Sequence, residues 1–242
     1  MHPAGHILGS AQLLITRGGR RIVYTSDVNT RQCATVERGE PIACDVLAIP
    51  ATYGLPQFRF PPREEVIEEV KRFIDRSLDE RATPVLIAHK IGTSQELMHV
   101  LGNAGYRLRV HRSIYEVGKL YKDLGVSIPN ARSFQGPPAR DEVVLFPPIL
   151  RRHVSIRKLK KAKTLLLTGR ALDEGFVFRA RVDAALPLSD SADYEDLLAF
   201  VQKTGAREVY LTDGQVDAFA ETLSARGIRA YSLVPPRQLS LF

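Results

Sequence analysis

Short apolar runs separated by turn residues open the chain. Residues 13–16 and 22–25 flank Gly18-Gly19, the pattern of a β-hairpin, and 45–49 reads as a further buried strand. Tyr53-Gly54-Leu55-Pro56 and Pro61-Pro62 then break the pattern. From 64 to 81 the period changes: Val66, Ile67, Val70, Phe73, Ile74 and Leu78 recur at helical spacing with charges between them. Strands over 84–88, 107–110, 143–146 and 164–168 follow, with helices over 94–103 and 114–124 among them. The last block repeats the rhythm, with strands at 184–188, 208–212 and 228–233 and helices at 194–204 and 216–226. Gly205 and Gly227 stand where helix ends favour glycine. Alternating strands and helices predict an α/β protein with a mostly parallel sheet covered by helices.

Composition narrows the class. The chain has 242 residues, 44% hydrophobic and 25% charged, which is ordinary for a globular protein of one large or two small domains. No run approaches the roughly 18 apolar residues of a membrane helix, and 1–6 lacks the start of a signal peptide. The expectation is a cytoplasmic protein without a membrane partner. Cys33 and Cys44 form no CxxC pair and read as reduced thiols in or near a core. The formal charge of +7 suits a partner rich in phosphate. The densest basic stretch is Arg151, Arg152, Arg157, Lys158, Lys160, Lys161 and Lys163, in which Arg157, Lys160 and Lys161 could share a helix face. A solvated face and a nucleic-acid groove explain it equally well. Tyr53, Phe58 and Phe60 with Arg59 and Arg63 fit either a base-stacking group or a loop anchor.

Candidate chemistry lies near the start. His6 precedes the hairpin and Asp27 follows it, so both can reach one sheet edge, and both are ligand types that suit zinc or manganese. A plain hydrogen bond between them accounts for the pair as well. The segments 2–12 (HPAGHILGSAQ), 24–27 (YTSD), 51–56 (ATYGLP), 92–97 (GTSQEL), 188–194 (LSDSADY) and 212–214 (TDG) run in order along nearly the whole chain. Together they resemble the metallo-β-lactamase/β-CASP nucleases, especially bacterial exonuclease-like members associated with a DNA ligase and a helicase.

The resemblance implies a partial metallo-β-lactamase sheet from 1–56 and 181–234, an inserted β-CASP parallel α/β domain over 57–180, and a tail at 235–242. It makes His6 and Asp27 counterparts of metal ligands in a two-metal phosphodiesterase. The family's His-x-His-x-Asp-His motif is not in the chain. An acidic residue is expected where Pro50 stands, and histidines where Ser191 and Asp213 stand. Proline offers no side-chain donor, serine is a weak neutral ligand, and only Asp213 remains as a possible substitute. Two zinc ions need roughly four ligands each. The expectation is therefore a degenerate nuclease-like protein, a pseudoenzyme that binds nucleic acid in DNA repair or replication, with no cofactor; zinc or manganese belongs only to the alternative, an active metal-dependent hydrolase. A third reading is a structural subunit. Strands lost from the parent sheet would leave edges for a partner or for a second copy in a homo-oligomer to cover. Finally, Gln238-Leu239-Ser240-Leu241-Phe242 resembles the peptide that docks bacterial repair proteins on the sliding clamp. Leu241 and Phe242 would enter an apolar pocket, with Gln238 at its rim and Leu239 beside it; packing back on the domain is the plainer alternative.

Overall fold

The computed structural model describes residues 1–159 and 161–233. The tail at 235–242, with Gln238, Leu239, Leu241 and Phe242, and Lys160 of the basic stretch lie outside the described residues. In chain order the elements begin with strands β1 (His2–Pro3), β2 (Ala11–Arg17), β3 (Arg20–Tyr24) and β4 (Val46–Ala51). Helix α1 (Arg63–Asp79), β5 (Thr83–Ile87), α2 (Thr93–Asn103), β6 (Arg107–Val110) and α3 (Arg112–Asp123) follow. Next come β7 (Ala131–Ser133), β8 (Glu142–Phe146), α4 (Val154–Arg157), β9 (Ala162–Leu167), α5 (Glu174–Ala180) and β10 (Ala184–Leu186). The chain closes with α6 (Tyr194–Thr204), β11 (Glu208–Gly214), α7 (Val216–Ser224) and β12 (Arg229–Ser232).

These elements form two compact units. The first takes residues 1–31, 37–59 and those from 191 onward; the second takes 32–36 and 60–190. The first unit carries a mixed sheet in the order β1-β2-β3-β4-β11-β12. Its β1–β2 and β2–β3 pairs are antiparallel, and β3, β4, β11 and β12 run parallel. The hairpin turns at Gly18-Gly19, both at positive φ, as the sequence pattern requires. Leu47, Ile49, Val209 and Leu211 pack with Phe200 of α6 and Phe219 of α7 in its core. Glycine ends α6 as expected: Gly205 is left-handed, with φ of 65°.

The second unit holds an all-parallel sheet in the order β10-β9-β5-β8-β6-β7. Central strands of such a sheet are covered on both faces and read as unbroken apolar runs. Glu142-Val-Val-Leu-Phe146 and Pro84-Val-Leu-Ile87 are buried throughout. Val66, Ile67, Val70 and Ile74 form the buried stripe of α1, whose first turn carries Glu64 and Glu65 against the positive end of the helix dipole.

Three expectations differ from the structure. The resemblance puts 184–186 in the sheet with 1–56; they pair with β9 instead, Ala184 against Leu165. The compact units divide at 31/32, 36/37, 59/60 and 190/191, while the resemblance implies 56/57 and 180/181. The shared helix face of Arg157 and Lys161 does not form either. Helix α4 ends at Arg157, and Lys161 sits at a left-handed φ of 51°. Cys33 and Cys44 are buried and not disulfide-bonded.

Candidate functional site

In the first unit, the resemblance-derived residues collect beyond the carboxyl ends of β3, β4 and β11, where open parallel sheets place their ligands. An isolated antiparallel bridge joins Gly5 to Val28, which sets His6 and Asp27 side by side in the register. The Asn29 amide donates to the Ala4 carbonyl (2.9 Å) and the Ala192 amide to the Val28 carbonyl (2.6 Å), so three distant segments are laced together. Asp213-Gly214 joins through a tight approach. Gly214 has a φ of +83°, and a Cβ there would lie 2.4 Å from the Ala51 carbonyl oxygen.

The side chains in this region are engaged with one another. His6 Nδ1 lies 3.5 Å from Ser191 Oγ, the position where the resemblance expects histidine. Thr52 Oγ1 donates to Asp27 Oδ1 at 2.9 Å. Asp213 is exposed and accepts from the Gly214 amide at 2.7 Å. Pro50 is half-buried within β4 and has no donor atom on its side chain. Among the described residues, no three or more His, Cys, Asp or Glu side chains form a group that could hold a metal ion. The donor set of these residues does not fit a two-metal centre.

The later motif segments act in packing and orientation. Arg63 is buried and binds Glu96 of α2 through Nε at 2.8 and 3.0 Å and through Nη2. Its Nη1 donates to the Ser189 carbonyl at 2.7 Å, and Asp190 lies 3.5 Å from Nη2. The Thr93 amide and hydroxyl both donate to Asp190 Oδ2, at 2.6 and 2.5 Å. The Ala34 amide reaches Glu96 at 3.3 Å. Burial alone would raise the Glu96 carboxyl, but the Arg63 guanidinium outweighs it and holds the group below its usual range. Asp190 goes the other way: burial dominates and raises it against the pull of Thr93 and Arg63. Burial, then the Glu96 charge, pushes the Cys33 thiol up to about 11. In the first unit, Asp193 caps α6 by accepting from the Asp196 amide at 2.9 Å and also pairs with Arg31.

Neither long-range cluster stands out in the sequence. The signal is present as Glu96 and Asp190 inside recognised segments, but nothing local points to Arg63 as their partner. Tyr53 and Phe58 are buried edge to face at 5.2 Å, so they anchor their loop and do not offer a stacking surface.

The basic stretch belongs to the second unit. Arg152, Arg157, Lys158 and Lys161 are exposed and make no side-chain ion pair or hydrogen bond with any described residue. Arg151 donates to the carbonyls of Ala180 and Pro148, and Lys163 pairs with Glu80.

The comparisons place this frame among nucleases and a ligase. No family model matches the chain. Over all 242 residues it is 34% identical to a stretch, 24% of the whole, of a "Probable DNA ligase" from Opitutus terrae. It is 30% identical over 102 residues to an "RNase J-like protein" of Methanocaldococcus jannaschii, covering 41% of this chain and 24% of that protein. It is 33% identical over 105 residues to the "Transcription termination factor FttA" of a Lokiarchaeum, covering 42% of this chain and 16% of that one. The chain thus spans about a quarter, or less, of the length of these relatives. A solved protein of unknown function from Enterococcus faecalis V583 shares the fold, with a TM-score of 0.59 at 12% identity over 98% of this chain and 61% of that one. The chain is related over about two fifths of its length to β-CASP/metallo-β-lactamase nucleases. Over its full length it is related to part of a protein named as a DNA ligase. Among the described residues, no helix is long and apolar enough to cross a membrane.

Proposed function

We propose that the chain is a non-hydrolytic β-CASP-like protein that binds nucleic acid as an accessory in DNA repair or replication. The first unit corresponds to a partial metallo-β-lactamase sheet and the second to the β-CASP domain. The observation that carries this reading is the set of four exposed cations, Arg152, Arg157, Lys158 and Lys161, that pair with no described residue, on a nuclease-like frame. Such cations bind phosphates by releasing counterions. The engagement of His6 by Ser191 and of Asp27 by Thr52 supports the non-hydrolytic part, as does Pro50. No cofactor is needed for binding. The relative named as a DNA ligase supports a ligase as partner; a helicase rests on the resemblance alone, and a clamp-docking role for Gln238, Leu239, Leu241 and Phe242 fits the same setting.

A salt titration of labelled DNA binding, run beside a nuclease assay and metal analysis of the purified chain, tests the reading. The expected result is salt-sensitive binding without cleavage. Replacing Arg152, Arg157 and Lys158 with alanine should flatten the salt slope by about 0.7 for each single-strand phosphate no longer neutralised. Wild-type protein that fails to bind DNA at low salt refutes it.

A second reading is favoured by the presence of His6 and Asp27 next to each other in register. In it the protein is a metal-dependent nuclease whose remaining ligands come from outside this chain. Cleavage with zinc or manganese that is abolished in Asp27→Asn would establish it.

A further inference from the structure

At the opposite end of the first unit's sheet, the amino ends of β3, β4, β11 and β12 surround a pocket of about 360 Å³. Gly19, Arg20, Asp45, Arg207, Glu208 and Arg229 line it. Its size is within the range of pockets that hold small ligands. The His6, Asp27 and Asp213 region lies beyond the carboxyl ends of the same strands.

The pocket is preorganised for anions. Glu208 is paired across the sheet with Arg229 in the β11–β12 register. Its Oε1 takes Arg229 Nη2 at 2.9 Å, and its Oε2 takes Arg20 Nη2 at 2.9 Å. One carboxylate thus fixes two guanidinium groups on either side of itself. Each guanidinium carries five N–H donors, so most of them stay available. Asp45 is tied down as well: its Oδ2 accepts from the Arg21 amide at 2.8 Å, and its carbonyl accepts from the Arg207 amide at 3.0 Å. Arg207 is exposed, and its side chain makes no ion pair or hydrogen bond with any described residue. Gly19 leaves its wall bare of side chain, with nothing within 4 Å of where a Cβ would stand. Three arginines against two carboxylates leave the lining positive, and exposed Arg17 (paired in register with Arg20) and Lys203 extend the charge.

We propose that this pocket is a phosphodiester-binding subsite for a single nucleic-acid strand. This rests on the nucleic-acid reading above and adds a second binding surface to it. Guanidinium forks match phosphate oxygens two at a time, which a lysine or amide site does not do. Arg20 and Arg229 converge on the two oxygens of Glu208, at 2.9 Å each, and Arg207 stands beside them just before β11. Three guanidinium groups in the lining, with exposed Arg17 in register beside Arg20, offer more donors than one phosphate can use, which favours a strand over a free anion.

The test is binding of a fluorescently labelled single-stranded oligonucleotide to the full chain across a salt series, with inorganic pyrophosphate as competitor. Removing two phosphate-binding groups in Arg207→Ala/Arg229→Ala should reduce the salt slope by about 1.4 and weaken binding roughly 25-fold near 0.1 M salt. Arg207→Lys/Arg229→Lys, which keeps the charge, should recover much of that affinity. Unchanged binding in the alanine variant, with binding abolished in the Arg152/Arg157/Lys158 variant, overturns the subsite and leaves the broader reading standing. No binding by the wild type overturns both. Pyrophosphate binding that depends on these arginines, with oligonucleotide binding indifferent to them, assigns the pocket to a small anion and overturns the strand.

Discussion

Replacing Arg63 with methionine removes the guanidinium that faces two buried carboxyl groups, Glu96 and Asp190. Glu96 is 2% exposed and Asp190 6%, so neither can turn to water for compensation. Without Arg63, Glu96 keeps the Ala34 amide at 3.3 Å and loses its charge-assisted bonds of 2.8 and 3.0 Å. The Ser189 carbonyl loses its 2.7 Å donor at the same time. Breaking a buried pair from one side costs about 3–5 kcal/mol, because the remaining charge stays desolvated. That is a large share of a typical stability of roughly 5–15 kcal/mol. For a chain of this size it corresponds to a fall in Tm of roughly 6–20 °C, which thermal unfolding followed by circular dichroism reads directly. The companion Arg63→Met/Glu96→Leu removes both charges and should recover most of the stability, since an apolar replacement of a buried pair is often neutral. A single variant within about 1 kcal/mol of wild type, or a double variant no more stable than the single, refutes this account of the cluster.

Other perturbations follow from the same structure. Asp190 is raised by burial, so the stability it contributes is complete below its unfolded value and is lost as pH rises through its folded one. Asp190→Asn should therefore gain on wild type as pH rises above the ordinary carboxylate range in denaturant titrations, and a difference that shrinks or reverses with rising pH contradicts the shift. With a thiol pushed up to about 11, Cys33 should resist Ellman's reagent in native protein near neutral pH and react on unfolding; rapid native labelling would contradict its burial beside Glu96. Gly214→Ala forces a side chain into the Ala51 carbonyl at a positive φ, and a loss of at least about 2 kcal/mol is expected in chemical denaturation. A fully stable alanine variant would show that the approach of Gly214 to Ala51 is not tight in solution.

Much of the fold is legible in the sequence because the patterns are strong and local. The apolar runs of β5, β8 and β9, the stripe of α1 and the Gly18-Gly19 hairpin each declare themselves within a few residues. Short or half-buried pieces do not. Strand β7 has three residues and α5 has seven, too few to show a period, and β10 carries three half-buried residues that suit either sheet. The site divides in the same way. His6 and Asp27 are visible as residue types, but Ser191 is 185 residues from His6, and the bridge at Gly5 and the Asn29–Ala4 and Ala192–Val28 bonds bring those segments together. Arg63 pairs with Glu96 across 33 residues and with the Ser189 carbonyl across 126, separations at which a charge gives no local hint of its partner.

The second unit is not a continuous stretch of chain, and this limits how the protein can be cut or recombined. A fragment spanning 60–190 would contain its whole parallel sheet, but it would lack 32–36. That short loan from earlier in the chain supplies the Ala34 amide to Glu96 and the Cys33–Thr35 pair packed beside it. Excising the α/β insert as a module would thus strip a cover from one of its buried charges. Grafting it would require carrying the five-residue patch along on a separate thread.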